Sequence, residues 1–267
     1  IWAFEQLGIK VKQSGDNYEF IRVKTLTKPV TIRFPKVSVG ATENIILYAA
    51  TQEHTIKIEN AAVEPEVIDL IDFLKEAGVK IEVQDRVITT YGQKQLQAVS
   101  HQVIPDRIEA GTFILLAATT GNPLKITEIC PDHLKALFQK LKEMGIEFDL
   151  GKDFIYIKKP DQISATKIST AEFPGFPTDL QPPMGVLLTQ AEGVSRIREN
   201  LFENRMGYLK ELQKMGAKIN LINSQEAEIT GPVELQAAKI HSLDLRAGAT
   251  LLIAALAATG ATEILQA

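Results

Sequence analysis

Phe4-Glu-Gln-Leu-Gly8-Ile-Lys-Val, Phe73-Leu-Lys-Glu-Ala-Gly78-Val-Lys-Ile, Leu141-Lys-Glu-Met-Gly145-Ile-Glu-Phe and Leu212-Gln-Lys-Met-Gly216-Ala-Lys-Ile read as one phrase written four times, with glycines 70, 67 and 71 residues apart. In each, an amphipathic stretch stops at a glycine, the residue that most easily takes the left-handed position just past a helix end. Alternating apolar residues then signal a strand. A second strand follows each time after a short polar turn, over Tyr18 to Val23, Arg86 to Thr90, Phe154 to Lys158 and Ala227 to Thr230.

Between these phrases lies a second one: Gly40-Ala-Thr42-Glu-Asn-Ile-Ile-Leu, Gly111-Thr112-Phe-Ile-Leu-Leu-Ala-Ala and Gly248-Ala-Thr250-Leu-Leu-Ile-Ala-Ala, with an intermediate copy from Gln181 through Pro183 to Gln190. These segments are rich in Ala, Gly and Leu and poor in charge, which predicts helices buried on nearly all sides. Short strands are expected after them, at Thr55 to Ile58, Lys125 to Thr127 and Ser195 to Ile197. One unit of about 70 residues is therefore buried helix, strand, amphipathic helix, Gly, strand, strand. A period this long with mixed elements points to repeated α/β lobes around a core of helices, rather than a solenoid. The alternative is two unrelated α/β domains whose spacings coincide. A polar segment and a proline at His101 to Pro105 suggest a boundary there.

The chain has 267 residues, 45% hydrophobic and 23% charged, enough to bury one large core or two medium ones. Its 29 basic and 33 acidic residues leave a net charge of −4, without the basic excess that would hold a polyanion, so no nucleic-acid partner is expected. A single cysteine, Cys130, makes no internal disulfide and fits a small apolar filler in a reducing, cytoplasmic protein. The longest apolar run, Leu251 to Ala258, falls far short of the roughly 20 residues that span a bilayer. No membrane association is expected.

Lys36-Val-Ser38-Val39-Gly40 leads a strand-like stretch into a buried helix, where free N–H groups and a nearby lysine suit a phosphate or diphosphate. Ordinary helix capping explains the same residues. One unit later, Asp106 and Glu109 either cap the next helix or line a site. In Phe173-Pro-Gly-Phe-Pro-Thr-Asp179-Leu-Gln181, two Phe-Pro pairs form a rigid helix entry holding Asp179, either as a plain cap or as a carboxylate able to take a proton from a substrate hydroxyl. Leu201-Phe202-Glu203-Asn204-Arg205 and Asp244-Leu-Arg246 set an arginine beside an acid. Each arginine either grips a carboxylate or phosphate with its planar fork or pairs with Glu203 or Asp244 as a structural bridge. His54, His101, His133 and His241 lack metal-site spacing, so no metal and no role is assigned to them. Together Lys36, Arg205, Arg246 and Asp179 suit an anionic, phosphate-bearing substrate.

Six ordered motifs carry a resemblance across essentially the whole chain: Lys36-Val-Ser-Val-Gly-Ala-Thr-Glu-Asn44, Glu59-Asn-Ala-Ala-Val-Glu-Pro-Glu66, Pro105-Asp-Arg-Ile-Glu-Ala-Gly-Thr112, Phe176-Pro-Thr-Asp-Leu-Gln181, Phe202-Glu-Asn-Arg205 and Asp244-Leu-Arg-Ala-Gly248. The chain resembles the UDP-N-acetylglucosamine enolpyruvyl transferases, also called UDP-N-acetylglucosamine 1-carboxyvinyltransferases. The resemblance implies an inside-out α/β barrel of βαβαββ units, about four of six present, with residues 1–104 in a first enolpyruvyl transferase domain and 105–267 in a second. It implies transfer of the enolpyruvyl group of phosphoenolpyruvate to the 3-hydroxyl of UDP-N-acetylglucosamine, with release of phosphate, at the entry to peptidoglycan synthesis and without a cofactor. It further implies that Lys36, Ser38, Val39 and Gly40 hold the UDP-sugar through its diphosphate. By the same resemblance Asp179 would be the base at the acceptor hydroxyl, Leu201 and Phe202 would line the uridine and sugar, and Arg246 beside Asp244 would face phosphoenolpyruvate. Glu64, Glu66, Asp106, Glu109 and Arg205 match family positions near the cleft.

The family's N-terminal Lys-Asn contact and its Cys-bearing loop, which would precede Ile1, do not occur here, nor does the last half unit beyond Ala267. Both ends fall inside a unit, so the chain is expected to be the central part of a longer enzyme, doubtful in turnover alone. Two other readings stand beside this one. They are a non-catalytic paralogue that binds UDP-sugars, and the sister enzyme 3-phosphoshikimate enolpyruvyl transferase.

Overall fold

Each of the four repeated glycines ends its helix in the left-handed region, with φ of +74° at Gly8, +97° at Gly78, +78° at Gly145 and +93° at Gly216. A side chain is strained there, so the chain reverses from helix to strand at the only residue type without that cost. The computed structural model describes residues 1–93, 95–242 and 245–266, and its contacts divide the chain into two units, Ile1–Ile104 and Pro105–Ala267.

Unit 1 opens with α1 (Trp2–Gln6) and the hairpin of β1 (Ile9–Ser14) and β2 (Asn17–Arg22). It continues through β3 (Val30–Arg33), α2 (Val39–Ala50), β4 (Ile56–Glu59), α3 (Pro65–Glu76), β5 (Lys80–Gln84) and β6 (Val87–Tyr91). The four strands β3 to β6 form one sheet in the order β3-β4-β6-β5, parallel at β3-β4 and antiparallel elsewhere. Alternation puts Ile56, Ile58 and Ile88 on its inner face against Ile45 and Ile46 of α2 and Ile71 and Leu74 of α3, all buried in one cluster.

Unit 2 contains α4 (Arg107–Thr120), β7 (Leu124–Thr127), α5 (Lys135–Glu143), β8 (Phe148–Leu150) and β9 (Phe154–Ile157). The next copy runs β10 (Lys167–Ser169), α6 (Gln181–Leu188), β11 (Gly193–Arg198), α7 (Tyr208–Lys214), β12 (Lys218–Asn223) and β13 (Glu226–Gly231). A last part has β14 (Lys239–His241), α8 (Leu245–Ala257) and β15 (Glu263–Leu265). The sheets are ordered β7-β9-β8, β10-β11-β13-β12 and β14-β15. Helices α4, α6 and α8 pack on one another. Among the described residues no helix is long and apolar enough to cross a membrane.

Two features correct the reading of the residues. The repeat gains a leading strand, β3, β10 or β14, which makes the unit βαβαββ; at three or four residues these strands are too short for alternation to announce them. The expectation of helices buried on nearly all sides holds for α6, where every residue is buried. It fails elsewhere: Leu47 on α2 is 49% exposed, Phe113 on α4 46%, and Leu252 and Leu256 on α8 54% and 60%. The reason is cover, since α6 lies against α4, α7, α8, β11 and β13, whereas α2 is met by α1, α3 and β6.

The repeated threonine of the core helices has one local use. Thr42, Thr112 and Thr250 each donate a hydroxyl hydrogen to the carbonyl four residues back, at Ser38, Ile108 and Arg246, over 2.8, 2.7 and 2.8 Å. A hydroxyl satisfied inside its own helix is tolerated where Thr42 and Thr250 are fully buried. A second equivalence joins Gly92 and Gly231, each at the end of a unit's last strand. A Cβ on Gly92 would lie 2.2 Å from the carbonyl oxygens of Ala49 and Gln52, and one on Gly231 would lie 2.5 and 2.6 Å from those of Thr189 and Ala191. Strand end and helix end thus meet backbone to backbone.

Candidate active site

In unit 1 the predicted anion site begins where β3 feeds α2. Ser38 is the N-cap, its Oγ accepting from the Ala41 N–H at 3.3 Å. Lys36, Ser38 and Gly40 are exposed and Val39 half-buried. Nothing lies within 4 Å of a Cβ placed on Gly40, so the first turn is open to approach. Beside it is a cleft of about 390 Å³ lined by Phe4, Tyr18, Phe20, Gly40 and Asn44 among others. On the same helix Glu43 is half-buried; burial, then the charges of Glu66 and Glu64, push its carboxyl above the ordinary value.

Unit 2 brings three predicted residues into one cluster. Asp179 lies in a short 3-10 turn, Thr178–Leu180, that leads directly into α6. Its Oδ1 accepts from Arg205 Nη1 at 2.6 Å and its Oδ2 from Arg246 Nη2 at 2.6 Å, so both oxygens are held. Arg205 comes from the loop between β11 and α7, and Arg246 from the first turn of α8. Burial alone would raise the Asp179 carboxyl, but the hydrogen bonds and charges of Arg246 and Arg205 outweigh it and hold the group below the usual carboxylate range. The cluster is reachable: the side chains of Asp179, Arg205 and Arg246 are 25%, 22% and 37% exposed. Two guanidiniums meeting at one carboxylate present fork-shaped donors of the kind that suit a phosphate or carboxylate.

The surrounding loop sets the arginine. Arg205 also donates to Thr178 Oγ1 at 2.8 Å, and its guanidinium carbon stands 4.5 Å from the centre of the Phe202 ring. Phe202 is 51% exposed and Leu201 half-buried. Arg205 therefore bonds to Thr178 and Asp179, and not to its neighbour Glu203 as one alternative had it. Asp244 lies outside the described residues. Asp106 caps α4: its Oδ1 accepts from the N–H groups of Ile108 and Glu109 at 2.7 and 3.1 Å. Glu109 and Glu66 are exposed, and Glu64 is buried ahead of α3.

Sequence reasoning missed Glu199 and Thr178, which pin this loop, and it gave His101 no role. His101 bonds through Nε2 to Asp69 Oδ1 and through Nδ1 to Glu76 Oε2, both at 3.1 Å, with its ring edge-on to Phe73. It fastens the segment after β6 onto α3. No spacing rule would have found it, because its two acids lie 25 and 32 residues away.

The model of the EPSP synthase (3-phosphoshikimate 1-carboxyvinyltransferase) family matches residues 1–267. UDP-N-acetylglucosamine 1-carboxyvinyltransferase 2 of Listeria monocytogenes serotype 4b (strain F2365) is 44% identical over 266 residues, 99% of this chain and 62% of that protein. UDP-N-acetylglucosamine 1-carboxyvinyltransferase 1 of Streptococcus agalactiae serotype Ia is 42% identical, over 98% of this chain and 62% of that protein. Among solved structures, the enolpyruvyl transferase NikO from Streptomyces tendae superposes with a TM-score of 0.88 at 25% identity, covering 99% of this chain and 65% of that one. EPSP synthase from Acinetobacter baumannii, at 16% identity and a TM-score of 0.70 over 99% of this chain and 64% of that one, shares the fold. The chain spans about 62% of the length of these curated relatives. Repeat, fold and family model agree, and the chain belongs to the EPSP synthase (3-phosphoshikimate 1-carboxyvinyltransferase) family of enolpyruvyl transferases.

Proposed function

We propose that the protein carrying this chain transfers the enolpyruvyl group of phosphoenolpyruvate to the 3-hydroxyl of UDP-N-acetylglucosamine, releasing phosphate, as a cytoplasmic step toward peptidoglycan. The observation that carries this reading is Asp179 clamped at 2.6 Å by Arg205 and at 2.6 Å by Arg246. The names of relatives 42 to 44% identical support the choice of acceptor. In this reading units 1 and 2 belong to the first and second enolpyruvyl transferase domains.

The sugar oxygen bonds to C2 of the enolpyruvyl group, the hydroxyl proton leaves to a base, and the C–O bond to phosphate breaks. Asp179 is that base. With both oxygens paired it is ionised at neutral pH but weakly basic. An anionic substrate competes for Arg246 and Arg205, and as they turn toward it the carboxylate regains basicity where the proton must go. Substrate binding and base activation are thereby one event. Arg246 stabilises charge at the phosphoenolpyruvate end. Lys36 and the first turn of α2 at Ser38, Val39 and Gly40 hold the diphosphate, and Leu201 and Phe202 line the sugar nucleotide.

The test is release of phosphate from phosphoenolpyruvate by the native gene product, with UDP-N-acetylglucosamine or shikimate 3-phosphate as acceptor. Release with the UDP-sugar alone, cut about 100-fold or more by Asp179→Asn, supports the reading, since a general base contributes that much. Binding of the UDP-sugar without release would make the protein a binding paralogue, and release with shikimate 3-phosphate would make it the sister enzyme.

A further inference from the structure

Glu199 is the first residue after β11, with 1% of its surface exposed, and both of its oxygens are used. Oε1 accepts from Thr170 Oγ1 at 2.8 Å and from the N–H groups of Leu201 and Phe202 at 2.9 and 3.2 Å. Oε2 accepts from Thr178 Oγ1 at 2.8 Å. Thr178 has a single hydroxyl hydrogen, so donating it to Glu199 turns a lone pair toward Arg205 Nη1, 2.8 Å away. That same nitrogen donates to Asp179.

Surface salt bridges and caps need no such foundation. A carboxylate this deeply buried persists where hydrogen bonds satisfy it fully, and here those bonds go to the two pieces of chain that shape the candidate site. One arm holds the backbone at Phe202, whose ring lies against the Arg205 guanidinium. The other fixes the hydroxyl beside Asp179. We propose that Glu199, acting through Thr178 and through the Leu201–Phe202 backbone, is the positioning residue that sets Arg205 on Asp179 and so fixes the state of the base. The inference rests on the reading of Asp179 as the proton acceptor, but its geometric half stands apart from any substrate.

The test uses the 267-residue chain labelled with carbon-13 at aspartate side chains, and follows the Asp179 carboxyl through an acid titration, assigned by its loss in Asp179→Asn. Thr178→Val keeps the shape and removes the relay, Thr178→Ser keeps the hydroxyl, and Glu199→Gln keeps the size and removes the charge. Far-ultraviolet circular dichroism verifies that each is folded. The expected result is an Asp179 midpoint raised by about half a pH unit or more in Thr178→Val, which is about threefold in proton affinity, and raised by less in Glu199→Gln, where loss of a nearby negative charge acts the other way. Thr178→Ser should match the parent chain. If Glu199→Gln does not fold, the two Thr178 variants carry the test. A midpoint unmoved in Thr178→Val, or moved equally in Thr178→Ser, overturns the proposal. In parallel, UDP-N-acetylglucosamine is titrated into the native gene product. No binding there defeats the substrate reading and leaves the midpoints to judge the relay on its own.

Discussion

Asp179 is a carboxylate that the fold keeps charged at the expense of its basicity. Because its folded proton affinity is lowered, its contribution to stability is present above the ordinary carboxylate value near 3.8 and is lost as pH falls through the lower folded value. Asp179→Asn is therefore expected to cost about 1–2 kcal/mol at pH 7 after allowance for partial exposure, and to narrow its gap to the parent chain by pH 3. Urea melts at the two pH values check this; a gap independent of pH would show that the arginines do not stabilise the ionised form. Sequence supplied Asp179, Arg205 and Arg246 as candidates, because helix-entry acids and arginines are recognisable locally. That both arginines close on one carboxylate was not legible, since the partners lie 26 and 67 residues away. Glu199 was invisible for a related reason: in Arg198-Glu199-Asn200 it reads as an ordinary polar strand end, and only the return of β10 and the Asp179 turn buries it.

At the scale of elements, the glycine stops made helices and following strands readable, because one residue type solves one backbone problem four times over. The close contact at Gly92 and Gly231 went unread, although each lies at the end of a repeat's last strand; a strand-end glycine carries no sign of what its backbone meets. Gly92→Ala and Gly231→Ala each press a Cβ into carbonyl oxygens that belong to helix ends and have little room to give. Each is expected to cost about 3 kcal/mol, measurable as a lowered thermal midpoint, whereas Gly15→Ala, which meets nothing within 4 Å, should cost far less despite its positive φ. The His101 strap makes a different prediction. Its hydrogen bonds to Asp69 and then Glu76 raise the imidazole above its ordinary value of 6.5, so its contribution is fully present below that value and fades as pH rises through the folded one. His101→Gln should lose more stability at pH 6 than at pH 9, and an equal loss at both would mean the ring acts by packing alone.

Among the described residues, most buried apolar side chains fall into one cluster within 3–88 and another within 110–254. Each unit thus holds a core of its own, and a fragment of residues 105–267 is expected to keep its helical circular dichroism and melt cooperatively; a featureless spectrum would contradict that. The 70-residue period was legible at this scale because it is written in both glycines and threonines, while the family's chemistry became legible only through motifs that the repeat does not explain. We propose that the clamped carboxylate of unit 2 serves an enolpyruvyl transfer to a UDP-sugar. The most direct measurement is phosphate released from phosphoenolpyruvate by the native gene product as UDP-N-acetylglucosamine is added, for the parent protein and for Asp179→Asn. Release should require the UDP-sugar and fall about 100-fold or more in the variant; release unaffected by losing the carboxylate, or none with the UDP-sugar present, would rule out Asp179 as the base of this transfer.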